Sequence, residues 1–95
     1  MKVVDHSPAA WFLLEHDDEY YIDVNCNSSF MGFSVLVQLN GSEKMHYNNQ
    51  GVKYIKDLAE VIAEKSDLNH LRNITNKELL NAAHDSIMSW KQAQT

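Results

Sequence analysis

From Trp11 onward the chain alternates in the manner of strands. Trp11-Phe12-Leu13-Leu14-Glu15 runs through a polar knot, His16-Asp17-Asp18-Glu19, into Tyr20-Tyr21-Ile22-Asp23-Val24-Asn25. In the second arm Tyr20, Ile22, Val24 and Cys26 fall on one side, and Tyr21, Asp23, Asn25 and Asn27 on the other. That is the period-two signature of a half-buried strand, and the two arms together predict a β-hairpin with Asp17-Asp18 at its tip. Asn27-Ser28-Ser29 and Gly32 interrupt the pattern, after which Phe33, Val35, Val37 and Leu39 alternate with Ser34, Leu36, Gln38 and Asn40. Asn40-Gly41 is a strong turn signal, because both residues tolerate positive φ. It predicts that Lys44 to Tyr47 pairs back as a short fourth strand. A three-residue loop through Ser42 sets Val37 against Met45 and Val35 against Tyr47, which keeps the shared face apolar, whereas a two-residue loop sets Val37 against Lys44.

Beyond Asn48-Asn49-Gln50-Gly51 the period lengthens. Val52, Ile55, Leu58, Ala59, Ile62 and Ala63 share one helical face, with Lys53, Lys56, Asp57, Glu60 and Glu64 opposite, so an amphipathic helix is predicted that stops near Ser66-Asp67. A connection carrying Leu68, Leu71 and Ile74 leads to Thr75-Asn76-Lys77-Glu78, which reads as a capping box. The helix it opens carries Leu79, Leu80, Ala83, Ile87 and Trp90 inward. The expected fold is therefore α+β, a two-layer domain in which a four-stranded antiparallel meander is followed by two helices packed on one face. At 95 residues the chain suits a single domain, since halving it leaves each part too little buried surface. Residues 1–10 read as a loosely ordered lead-in, and 91–95 as a frayed tail.

One strand does not fit a two-layer design. Trp11 and Leu13 lie on one of its sides and Phe12 and Leu14 on the other, so both sides are apolar while two helices on one face cover only one of them. If Trp11 and Leu13 join Ile22 and Val24 in the core, then Phe12, Leu14, Tyr21, Asp23 and Leu36 occupy the outer face. An apolar centre with an acidic rim is the composition of a protein interface, and these five residues are the candidate contact surface.

Composition narrows the functional classes. The apolar fraction of 44% and the charged fraction of 22% are those of ordinary globular chains. The longest apolar runs, such as Ala9 to Leu14, fall far short of the roughly 20 residues that cross a bilayer. Cys26 is the single cysteine, so no internal disulfide staples the fold, and the opening residues lack the apolar run of a secretion signal. The expectation is a chain that starts at Met1 and resides in the cytoplasm. The net charge is −5, and residues 1–43 carry it: seven acids there face Lys2 alone. A field of that sign repels phosphate, so nucleic acid is disfavoured as a partner and a basic protein is favoured.

Chemical signatures are sparse. Glu15, Asp17, Asp18 and Glu19, with His16 among them, form the densest cluster and offer an acidic contact to a basic partner. They lack the ligand alternation and sharp-turn glycine of a calcium loop. None of the five histidines recurs at three or four residues from another, so no zinc pair is presented on a helical turn. Cys26 falls on the core side of its strand, where a thiol is inert. The three glycines stand singly at turns, with no phosphate loop or nucleophile elbow. No cofactor is implied. The functional expectation is a small acidic, non-catalytic interaction or regulatory module, possible as a homodimer through the outer face of strand one. The alternatives are a metal-dependent small enzyme or binder centred on the His16 to Glu19 tip, and an acidic nucleic-acid mimic.

Overall fold

Alternation from Trp11 to Gln38 marks three strands, an N-terminal edge strand joins them, and three helices follow Asn40. The computed structural model describes residues 1–7, 10–26, 33–65 and 72–93, with the side chains of Cys26, Phe33 and Lys65 outside the description. The strands are β1 (Lys2–Ser7), β2 (Trp11–His16), β3 (Glu19–Cys26) and β4 (Phe33–Gln38). The helices are α1 (Gly41–Gln50), α2 (Val52–Lys65) and α3 (Lys77–Ala93). The fold is α+β, as expected, and its sheet is an antiparallel meander in the order β1-β2-β3-β4.

The central register is the one the alternation implies. Trp11 pairs with Val24 and Leu13 with Ile22, while Phe12 pairs with Asp23 and Leu14 with Tyr21. On the far side of β3, Asp23 pairs with Leu36 and Val24 with Val35. Asp17 and Asp18 form the hairpin tip at φ 52° and 64°. Positive φ at both central residues matches the strand twist, and aspartate tolerates it because its side chain bonds locally.

Two elements differ from expectation. The first is the fourth strand, which is β1 and not Lys44 to Tyr47. Lys2–Ser7 pairs along β2, with a register shift between Val3 and Asp5, so the supposed lead-in is an edge strand carrying a bulge at Val4. The second is Asn40-Gly41, which opens a helix instead of closing a hairpin. The Asn40 carboxamide oxygen accepts from the Glu43 backbone N–H at 2.9 Å, and Glu43 Oε1 accepts from the Asn40 N–H at 2.8 Å. This reciprocal pair satisfies two amide groups that a helix start otherwise leaves open. Met45, expected in the core opposite Val37, is instead 62% exposed. Gly51, at φ 72°, ends α1 with its N–H on the Tyr47 carbonyl at 2.7 Å, a backbone conformation that favours glycine.

The helices lie on both faces of the sheet, which corrects the expectation of one covered face. On one face Trp11, Leu13, Ile22, Val24, Val35 and Val37 are covered by Ile55, Ala59 and Ile62 of α2, joined by Leu39 and by Tyr47 of α1. α3 covers Leu14, Tyr21 and Leu36 with Ala83 and Ile87, joined by Met1, Val3, Phe12, Ile74 and Leu79. The chain changes face around the β4 edge. There the Ile74 N–H donates to the Leu36 carbonyl at 2.8 Å, and the Arg72 guanidinium donates to the Gln38 carbonyl at 2.8 Å and to both Glu43 carboxylate oxygens at 2.6 and 2.9 Å. Glu43 thus closes the α1 cap and anchors the connection to α3. The expected cap of the last helix moves by one residue, since the Asn76 side chain, not Thr75, accepts from the Leu79 N–H. Leu68 and Leu71 of the connection lie outside the described residues, as does the loop with Phe30, Met31 and Gly32.

Leu13 and Leu14 are both 0% exposed, so Leu13→Ala and Leu14→Ala are each expected to lower unfolding free energy by about 2–5 kcal/mol in urea titration. A sheet with an open outer face loses stability only with the first. Asn40→Ala, which removes one half of the cap, is expected to cost about 1 kcal/mol.

The Arg72 hydrogen bonds hold the Glu43 carboxyl below its ordinary value, against the opposing effect of desolvation. The unfolded chain therefore binds that proton more readily than the folded one. The stabilisation is complete above the ordinary carboxylate range and is lost as pH falls through the lowered folded value. Glu43→Gln is expected to be less stable at neutral pH and to show a shallower acid limb in urea titrations repeated across acidic pH.

Candidate functional site

The outer face of β2 and β3, expected to stand open, is occupied by the chain's own third helix. Leu14 is wholly buried, and Tyr21 and Leu36 are 6% and 2% exposed. Among the five candidate interface residues, only Phe12 and Asp23 retain partial exposure. Leu14, Tyr21 and Leu36 are therefore closed to any partner while α3 is docked. The physical reason is that a strand apolar on both sides requires two covers, and the chain supplies the second cover after its connection rounds β4.

What α3 leaves open is a cleft of about 420 Å³ at one end of that face. Its sheet side carries Phe12 from β2, Asp23 and Asn25 from β3, and Ser34 from β4, while His84, Ile87, Trp90 and Lys91 line it from α3 and His6 from β1. Each is placed by a local rule. Asp23 and Asn25 share the face of Tyr21 because strand side chains alternate, and Ser34 shares the face of Leu36 by the same logic. On α3, Ala83 and Ile87 are buried. His84 and Lys91, one and four residues beyond them, emerge on the border of the buried stripe.

The cleft's walls are aromatic. His6 and Trp90 have ring centres 4.2 Å apart, Phe12 and Trp90 meet edge to face at 5.5 Å, and His6 stacks over Phe12 at 5.8 Å. His6 and Phe12 are register partners across β1 and β2, so strand pairing sets two of the three rings and the last turns of α3 bring the third. Lys91 Nζ lies 5.7 Å from the Phe12 ring centre, within cation–π range.

The sheet side holds a carboxyl. Burial raises the Asp23 pKa above its ordinary value, and the hydrogen bond from Ser34 and the positive fields of His84 and Lys91 only partly offset that effect. The partners present do not fully compensate the charge that burial penalises. Groups perturbed in this way are more frequent at functional sites than elsewhere.

The acidic cluster at the hairpin tip is arranged differently. Asp17 and Asp18 are exposed. Glu19 pairs with Lys44 of α1 at 3.3 Å, and Lys44 also donates to the Asp18 carbonyl at 3.2 Å. His16 Nε2 lies 3.4 Å from Asp17 Oδ2. Glu15 sits on the side of β2 that faces α1, close enough to help raise the Tyr47 pKa, after desolvation, Asp5 and Tyr20. Exposed pairs of this kind contribute little stability. Among the described residues no three His, Cys, Asp or Glu side chains converge to hold a metal ion, and His46 packs its ring against Tyr54 at 5.1 Å. No helix among the described residues is long and apolar enough to cross a membrane.

The strand alternation puts Phe12 and Asp23 on the face they occupy, and the helical period turns Trp90 towards it. Neither pattern joins them to His84 or Lys91, because nothing local to those two residues signals which face their helix covers. Comparison with protein-family models, curated proteins and solved structures finds no match for the chain.

A raised folded-state pKa has a definite sign. Stability is greatest below the ordinary aspartate range and declines as pH rises through the raised folded value. Asp23→Asn, which mimics the protonated carboxyl in shape and charge, is expected to melt above the wild type at neutral pH and level with it in acid. Differential scanning calorimetry across pH makes the comparison.

Proposed function

We propose that this chain is a non-catalytic binding module that recognises a basic partner protein by taking one of the partner's lysine or arginine side chains into the α3 cleft, with Asp23 as its counter-charge. The observation that carries the proposal is the Asp23 carboxyl on the sheet side of an aromatic-walled cleft, where burial outweighs the cations already nearby. A positive group arriving there restores the electrostatic balance lost with water. Its alkyl stem gains contact with Phe12 and Trp90, whose ring faces attract cations. At longer range the net charge of −5 draws cations towards the protein.

The arrangement of polar groups favours binding over nucleophilic chemistry. In an activated serine the imidazole stands between hydroxyl and carboxylate, where it can take the proton. Here Ser34 and His84 both act to favour the charged form of Asp23, the serine as a hydrogen-bond donor and the imidazole through its field. Both effects favour the carboxylate form of Asp23, the form that a cation site needs. The hairpin tip supplies a further acidic surface, with Glu15, Asp17, Asp18 and Glu19 available as secondary contacts to a basic partner.

Titration with Nα-acetyl-arginine methylamide and Nα-acetyl-lysine methylamide, followed at the Trp90 indole N–H by NMR, tests the proposal. Saturable millimolar binding is expected for both, weakening with salt and lost in Asp23→Asn. Equal binding by the norleucine analogue, which has the stem without the charge, refutes it, as does silence from both cations in the wild type and in Lys91→Met alike.

A further inference from the structure

The cation position of the cleft is already held by a residue of the chain itself. Lys91 stands in the last turn of α3, and its ammonium lies 5.7 Å from the centre of the Phe12 ring. It lines the same cleft as Asp23. An aromatic face with a carboxyl beside it is the environment that a partner's ammonium or guanidinium would seek. Two unit positive charges do not share so small a volume without strong repulsion.

We infer that Lys91 is a built-in stand-in for the partner's cation, which occupies the Phe12 face when the cleft is empty and must swing out before a partner's side chain enters. This inference rests on the reading of the cleft as a cation site and adds a residue that regulates it. Lys91 is suited to the part. It is exposed, its four-carbon stem is flexible, and the carbonyls of the helix C-terminus give its charge a second favourable place once displaced. While it is docked, Lys91 lessens the electrostatic penalty on Asp23. When it leaves, only a ligand that brings its own positive charge makes good the loss. Neutral side chains of similar length displace nothing and gain nothing, so the lysine both raises the threshold for binding and sharpens discrimination by charge.

Population arithmetic sets the expected size of the effect. An internal occupant that holds a position about four-fifths of the time weakens a competitor about fivefold. Nα-acetyl-arginine methylamide is the probe, titrated into the full chain and read at the Trp90 indole N–H. Lys91→Met keeps the stem and removes the charge, and its affinity is expected to rise about fivefold, with Lys91→Arg close to wild type. Lys77→Met, at the opposite end of α3, makes the same change in net charge away from the cleft and is expected to leave the affinity unchanged. A wild type that stays silent while Lys91→Met binds also supports the inference. If wild type binds and Lys91→Met binds no more tightly, or Lys77→Met gains as much, Lys91 is not a competitor and the cation site stands alone. If neither wild type nor Lys91→Met binds, the cation site is wrong and the role of Lys91 falls with it.

Discussion

A strand with apolar side chains on both sides governs this molecule. Trp11 and Leu13 point one way from β2, Phe12 and Leu14 the other, and both leucines are removed from water. Burying one set and leaving the second in solvent forfeits the transfer free energy of two large side chains, on the order of 1.5–3 kcal/mol each. The chain meets the requirement by spending its helices on opposite faces, α1 and α2 on one and α3 on the other. Everything after β4 follows from the need to change face. The connection must round the sheet edge, where Ile74 satisfies the outward Leu36 carbonyl and Arg72 the Gln38 carbonyl. A β4 edge partly capped by this connection offers fewer open backbone groups to another strand.

The β2–β3–β4 part of the sheet was legible in the sequence because a period of two is a strong local signal and each strand's apolar set has a single consistent face. The hairpin register, the Asp17-Asp18 tip and the sharing of one face by Phe12, Leu14, Tyr21, Asp23 and Leu36 all follow from it. Asn40-Gly41 was misread because two local rules compete at that point. As a dipeptide it favours a tight hairpin. As Asn40-x-x-Glu43 it is a capping box, and the long-range partner Arg72, 29 residues on, settles the contest by holding Glu43 in the capping geometry. β1 escaped notice for a different reason: Lys2–Ser7 is an edge strand with a bulge, partly exposed along its length, so burial imposes little pattern on it. The face that α3 takes is not a local property at all. An apolar stripe specifies that a helix is covered, not by which side of the sheet.

The same limits explain what was legible of the site. Asp23 stood out as an acid amid Tyr21, Leu36 and Phe12, but on an uncovered surface it would have been an ordinary solvated rim residue. Under α3 it becomes a carboxyl that burial disfavours. His84 and Lys91 gain their meaning only through the packing of Ala83 and Ile87 on the sheet, which turns the border of the helical stripe towards Asp23. His6 joins them through a strand that the sequence pattern does not reveal. The site is thus a product of the second covering layer, and the constraint imposed by β2 underlies the cleft as well as the core.

Local and global charge act in different ranges here. The acids of the first 43 residues give the chain a negative field that reaches about one Debye length, roughly 8 Å at physiological salt, and so biases encounters without choosing among cations. Within the cleft, Lys91 offsets only part of the cost that burial imposes on the Asp23 carboxyl. On the proposed reading, a cation entering there is selected by fit and by its ability to replace Lys91, not by the field that drew it in. The separation has a structural cause: the exposed acids of the first 43 residues, Asp17 and Asp18, lie at the hairpin tip, where positive φ suits the turn, whereas Asp23 lies mid-strand on the face that α3 covers.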